Sequence, residues 1–203
     1  MRHPHPHSIP ALDARGVLLL GLLFAQALAL AGCASGMAAT RFTNPKFDFG
    51  YVERVAVVPF ENLSNDHAAG ARVTRLVVTE LLASGAVDVV EPGEVQAALD
   101  RMGARITTPS TEQVISLGET LGVQAVIVGS VTQSDTLRSG AVEIPVVSLD
   151  VHMLETETGA AVWAATHTEK ASGLGAKLLG AGGTPLSETT RRCVRQTLRT
   201  LVE

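Results

Sequence analysis

"QAVIVGSV", residues 124–131, is a run of β-branched and small apolar residues with no charge, the pattern of a buried strand. Just before it, Thr111 and Glu112 introduce a helix in which Val114, Leu117, Gly118 and Leu121 recur at i, i+3, i+4 and i+7. Further upstream, residues 93–102 place Val95, Ala98, Leu99 and Met102 on one helical face, and "VDVVEP" gives a short strand. "RVAVVPF", residues 54–60, is a second buried strand ended by proline, and "ENLSND" reads as a polar loop after it. A helix follows from His67 or Ala68 with Asp66 as N-cap; Val73, Leu76, Val77 and Leu81 form its stripe, and Gly85 stops it.

Downstream, strands near 146–155 and 160–168 flank "TETG", and Gly159 with the short gap predicts an antiparallel hairpin. The last helix, 186–202, has the stripe Leu186, Thr190, Cys193, Val194, Thr197, Leu198 and Leu201, with Arg191, Arg192, Arg195 and Arg199 turned away. Strands alternating with helices and finishing in a hairpin and helix predict an α/β or α+β domain: a mixed sheet with helices packed on it.

The chain begins differently. Residues 1–15 are mildly basic, and "VLLLGLLFAQALALA", 17–31, is apolar but for Gln26. Fifteen residues are too few for a membrane helix, which takes about 20, and they suit the apolar region of a signal peptide. The histidines of "HPHPH" lie in the part that would be removed. Leu30-Ala31-Gly32-Cys33 resembles the lipobox of bacterial lipoproteins. That resemblance implies cleavage between Gly32 and Cys33, a diacylglycerol on the Cys33 sulfur and acylation of the new amino group. Two or more chains hold a protein firmly, where one anchors only marginally. Ala34 in place of the aspartate of the enterobacterial retention pattern implies the periplasmic face of the outer membrane. Residues 33–51 then read as a tether, without period, and 52–203 as the globular domain.

Without residues 1–32, 171 residues remain, with 14 Lys and Arg against 19 Asp and Glu. That is enough chain for one buried core, and it lacks the clustered cations a nucleic-acid partner requires. Cys193 is the only other cysteine; with Cys33 lipidated it has no intrachain partner and is expected to pack as a small core residue. Few aromatics argue against a lipid-facing barrel.

Ser148, Asp150 and His152 alternate along "SLDVH", yet a rise of about 3.3 Å per residue puts Ser148 and His152 roughly 13 Å apart. A nucleophile and its base need hydrogen-bond reach, so no catalytic residue is assigned. Pairing His152 with Trp163 would set Ser148 against His167, too far along the sheet for the two histidines to share a metal. No zinc spacing exists, and neither metal nor cofactor is expected beyond the covalent lipid. "SGLGAKLLGAGGT", 172–184, lacks the Ser or Thr after lysine of a phosphate-binding loop and reads as a connector. "NLS" at 62–64 matches a glycosylation sequon, which means little in a bacterial protein.

"RVAVVPFENLSND", "LLASGAVDVVEPGEV", "LGETLGVQAVIVGSVTQSD" and "VSLDVHMLETETGAAVWAATHTEK", in that order, resemble the curli-secretion lipoprotein superfamily, which includes activators of penicillin-binding proteins. The resemblance covers residues 52 to about 170 and implies a three-layer domain, often oligomeric, that binds rather than catalyses. It also implies where pore hairpins would be inserted, at Ser134–Pro145 and Ala171–Pro185. A membrane strand takes about 9 to 11 residues, so the first place is too short for a hairpin; the second lacks aromatics and alternation. Pro92 stands where the family commonly has a basic residue, so no role carries over there.

The expectation is a non-enzymatic lipoprotein assembling with itself or other envelope proteins, as a component of surface assembly or secretion. Its contact surfaces would be the loop Phe60, Glu61, Asn62 to Asp66 and the exposed face of the last hairpin. The alternatives are a lipoprotein activator of a cell-wall synthase and, in another class, a periplasmic hydrolase. A synthase activator must reach across the periplasm, whereas the 17-residue tether extends roughly 60 Å at most.

Overall fold

Val55 and Val57 point to one side of a sheet, Ala56 and Val58 to the other, and each side meets its own pair of helices. That is why the run is apolar without alternation: both faces of the strand are covered. The computed structural model describes residues 39–103, 107–139, 142–171 and 184–202, all within one unit, Met37–Glu203.

In chain order the elements are β1 (Thr40–Thr43), a 3-10 turn (Phe49–Tyr51), β2 (Arg54–Val57), β3 (Glu61–Asn62), α1 (Ala69–Ser84), β4 (Asp88–Val89), α2 (Pro92–Arg101), α3 (Thr111–Leu121), β5 (Ala125–Ser139), β6 (Val142–Glu155), β7 (Ala161–Lys170) and α4 (Leu186–Val202). The sheet runs β1-β7-β6-β5-β2-β4, with β3 beside β5 beyond the end of β2. β2 pairs in parallel with β4 and β5, and β3 with β5; the remaining pairs are antiparallel. It is a mixed sheet in three layers, as expected. α1 and α4 close a core around Val73, Val77, Ile127, Leu149, Trp163 and Val194. α2 and α3 close a second around Val95, Leu99, Val114, Leu117 and Val126.

Local chemistry fixes the helix ends. Glu91 accepts the backbone N–H of Gly93 (2.6 Å) and Glu94 (3.2 Å) ahead of Pro92 at the first turn of α2. Ser110 and Gln113 form a reciprocal capping box on α3. Gly85 and Gly122 end α1 and α3 with φ of 64° and 62°.

Four expectations are corrected. Asp66 is not the N-cap of α1; Ala68 holds that position without a side-chain cap, and the Asp66 carboxylate accepts the Ala68 N–H (3.1 Å) one turn earlier. "ENLSND" is not wholly loop, because Glu61 and Asn62 pair with Ser130 and Val131. Part of the stretch read as tether is ordered: Thr40–Thr43 pair with Trp163 to Thr166 of β7, and Phe47 and Phe49 meet edge to face (5.0 Å) against the first core. Finally, β5 continues past Val131 to Ser139 and pairs with β6 from Val142, so 134–139 and 142–147 form a two-stranded arm continuing the sheet.

Candidate functional site

The loop expected to bind a partner is largely occupied with its own construction. Phe60 is 4% exposed and belongs to the first core, so it is no surface contact. Its N–H donates to the Thr74 hydroxyl of α1 (2.9 Å). Asn62 donates its amide to the Asp66 carbonyl (2.8 Å), and its Oδ1 accepts from the Ser64 N–H (3.1 Å) and hydroxyl (2.8 Å). Asp66 takes the Arg72 guanidinium and the Ser134 hydroxyl (3.1 Å). Hydrogen bonding to Arg72 holds its carboxyl below the ordinary 3.8, against the opposing effect of burial. Glu61 lies half-buried in β3. What the loop presents outward is Asn65 and Leu63, the latter 60% exposed and tied by its N–H to the Val131 carbonyl (3.0 Å). Leu63 was missed because a single leucine in a polar loop carries no pattern.

The second expected surface is the hairpin's outer face. Here the register differs by one from that expected: His152 stands opposite Ala164, Met153 opposite Trp163, Ser148 opposite Thr168 and Leu149 opposite His167. A shift of one reverses the faces. His167 therefore lies on the buried side, 8% exposed, with Nε2 3.4 Å from Glu169. Ser148, Asp150 and His152 share the opposite face with Thr166 and Thr168. The helices α2 and α3 pack on the β2, β4 and β5 side of the sheet. Ser148 Oγ is 2.8 Å from Thr168 Oγ1, and Thr166 donates to Asp150. These are rungs between neighbouring strands, not a nucleophile held by a base. Phe42 of β1, 50% exposed, lies at the rim beside Ala164.

The turn at the hairpin's end is structural. The Glu155 carboxylate accepts the N–H groups of Glu157 (2.8 Å) and Thr158 (3.0 Å), and the Thr156 hydroxyl donates to the Val123 carbonyl (2.7 Å). Cys193 is free and buried, as expected of a core residue. Among the described residues no group of three or more His, Cys, Asp and Glu is placed to hold a metal. None of their helices is long and apolar enough to cross a membrane. Gly32 and Cys33, the expected cleavage and lipid positions, and the connector 172–183 lie outside the described residues.

Fold and surfaces together define a three-layer domain with a polar sheet face and a two-stranded arm. The chain belongs to the peptidoglycan-synthase activator LpoB family, whose model matches residues 30–168. Among solved structures it is similar to the PelC dodecamer from Paraburkholderia phytofirmans, at 19% identity over 81% of this chain and 96% of that one, TM-score 0.54. It is also similar to lipoprotein GNA1162 from Neisseria meningitidis, at 19% identity over 63% and 90%, TM-score 0.52. At such identities the likeness is one of fold. No curated protein matches the chain by sequence.

Proposed function

We propose that this protein is a lipid-anchored periplasmic lipoprotein that acts by binding another envelope protein, and that its target is a peptidoglycan synthase. The observation that carries this reading is the family match, which begins three residues before Cys33 and runs into β7. Membership supports a stimulatory protein contact rather than chemistry on a small molecule. Cys33 carries the lipid and begins the mature chain at the inner face of the outer membrane.

A second reading, a component of surface assembly or secretion that works with copies of itself, is favoured by the leash. Because β1 begins at Thr40, only the seven residue steps from Cys33 separate lipid from sheet. They span at most about 25 Å, less than half the reach expected from the sequence. The domain would thus sit close to its own membrane, and a synthase partner would have to approach it there.

Four measurements test these readings. Replacing Cys33 with Ser should move the protein from the membrane to the soluble fraction; retention would refute the anchor. Adding the protein to a purified peptidoglycan synthase should raise its rate of glycan polymerisation. No stimulation, together with a closed-ring mass after gentle solubilisation, would replace that reading with self-assembly. Hydrolase activity lost on Ser148→Ala would revive the enzyme.

A further inference from the structure

The two helical layers carry opposite charge. α1 and α4 hold Arg72, Arg75, Arg191, Arg192, Arg195 and Arg199 against Glu80 and Glu188. α2 and α3, on the other side of the sheet, hold Arg101 against Glu94, Asp100, Glu112 and Glu119. In a chain of net charge −4, six of the 16 Lys and Arg thus lie on this one layer.

Much of that positive charge is uncommitted. Arg191 and Arg192 share the single carboxylate of Glu188, and Arg195 pairs with Glu80 at 3.0 Å. Arg72 is held by Asp66 inside the loop. Arg75 and Arg199 are exposed, and among the described residues neither has an ion-pair partner. Apolar surface lies beside them. A cleft of about 360 Å³ opens between the C-terminal halves of α1 and α4, lined by Phe49, Val52, Leu81, Met153, Leu198 and Leu201 together with Arg195, Arg199 and the Glu80 carboxylate that pairs with Arg195. Leu82, 56% exposed, stands on the adjoining surface of α1. Cations around an apolar cleft are the composition of a surface that rests on anionic lipid.

The leash leads to the same place. β1 pairs with β7, and α4 lies directly on β7: the Trp163 indole N–H donates to the Thr200 carbonyl (3.2 Å), and the Cys193 sulfur is 3.6 Å from the His167 carbonyl. The strand through which the chain enters the domain, β1, thus pairs with a strand that α4 covers. From Arg191 to Arg199 the helix advances about 12 Å, well within the leash's span of about 25 Å.

We propose that the α1–α4 layer is the membrane-facing surface of the protein and binds anionic phospholipid headgroups through Arg75, Arg191, Arg192, Arg195 and Arg199. The acidic α2–α3 layer then faces the periplasm. The proposal takes the position of the membrane from the lipid-anchored reading, but the face itself is tested without the acyl anchor. The chain from Met37 on contains every described element and both cores, so it serves as the unacylated protein. It should sediment with phosphatidylcholine vesicles only when they contain phosphatidylglycerol, and less so as salt is raised.

Arg75→Gln and Arg199→Gln should each weaken that binding about fivefold, whereas Glu112→Gln and Glu119→Gln on the opposite layer should leave it unchanged. Equal binding to neutral vesicles, or none to either, would overturn the assignment. Salt-sensitive self-association without vesicle binding would also overturn it, giving the basic layer to the acidic layer of a second copy. Failure of the Cys33→Ser release, by contrast, bears only on the anchor.

Discussion

The ring of Phe60 fills the space over Gly129: a Cβ built on that glycine would lie 2.5 Å from the ring's Cε1 and 2.5 Å from the carbonyl oxygen of Asp150. A residue at the mouth of a presumed partner loop thus locks β3 and the following turn onto the central strand. Phe60→Ala is expected to lower stability by about 3–5 kcal/mol, the range for a buried phenylalanine. Gly129→Ala, pressed between a ring and a backbone carbonyl, should cost about 1–3 kcal/mol. Urea denaturation of the two variants checks both, and unchanged midpoints would return Phe60 to the surface.

Gly118 of α3 sets a small preference against a larger clash. Alanine in a helix interior gains about 1 kcal/mol over glycine, but its Cβ would stand 2.4 Å from the Cβ of Thr156 in the hairpin turn. Thr156 cannot swing away without giving up its hydrogen bond to Val123. Gly118→Ala should therefore destabilise the domain on balance, by about 1–3 kcal/mol, and a thermal melt of the variant gives the sign.

Asp66 makes part of the stability depend on acid. Its folded carboxyl titrates below the ordinary 3.8 because Arg72 hydrogen-bonds the ionised form. Its contribution is thus complete above 3.8 and disappears as pH falls through the lower folded value. Asp66→Asn should destabilise the protein near neutral pH by about 1–3 kcal/mol. The gap between variant and parent should close on acidification, as urea midpoints measured across that range would show.

Cys193 should be chemically silent in the native protein. Burial pushes its thiol up to about 12, and its sulfur lies 3.5 Å from the Val147 carbonyl and 3.6 Å from that of His167. A thiol reagent at mildly alkaline pH should label it only after unfolding. Because the unfolded thiol ionises near 9.0 and the folded one only near 12, this residue's share of stability is present below 9.0 and is lost as pH rises toward 12.

How far the sequence could be read depended on whether burial wrote a period into it. α4 was legible because Cys193, Val194, Thr197 and Leu198 form a buried stripe beneath exposed arginines. The central strands were legible because both of their faces are covered. β1 was not, since all four of its residues are exposed at the sheet edge and no alternation marks "TRFT". The polar run 132–139 hid the continuation of β5, which stays in the sheet through pairing to β6 rather than through apolar faces. The hairpin's register moved because the pairing shifts between Met153 and Leu154, an irregularity to which spacing is blind. Of the basic layer, the four α4 arginines were visible as an outward row. Their segregation from the carboxylates of α2 and α3 was not, because it arises only when the sheet separates the helices into two layers.

The placing of β1 also decides how the domain takes tension. The segment from Cys33 enters the sheet at Thr40, so a pull on it is borne first by the four rungs between β1 and β7. Drawn along the strand, those rungs share the load and yield together; drawn across it, they open one after another from Thr40. The edge strand therefore meets a pull on the chain ahead of Thr40 before either core does, because none of its four residues is buried in them.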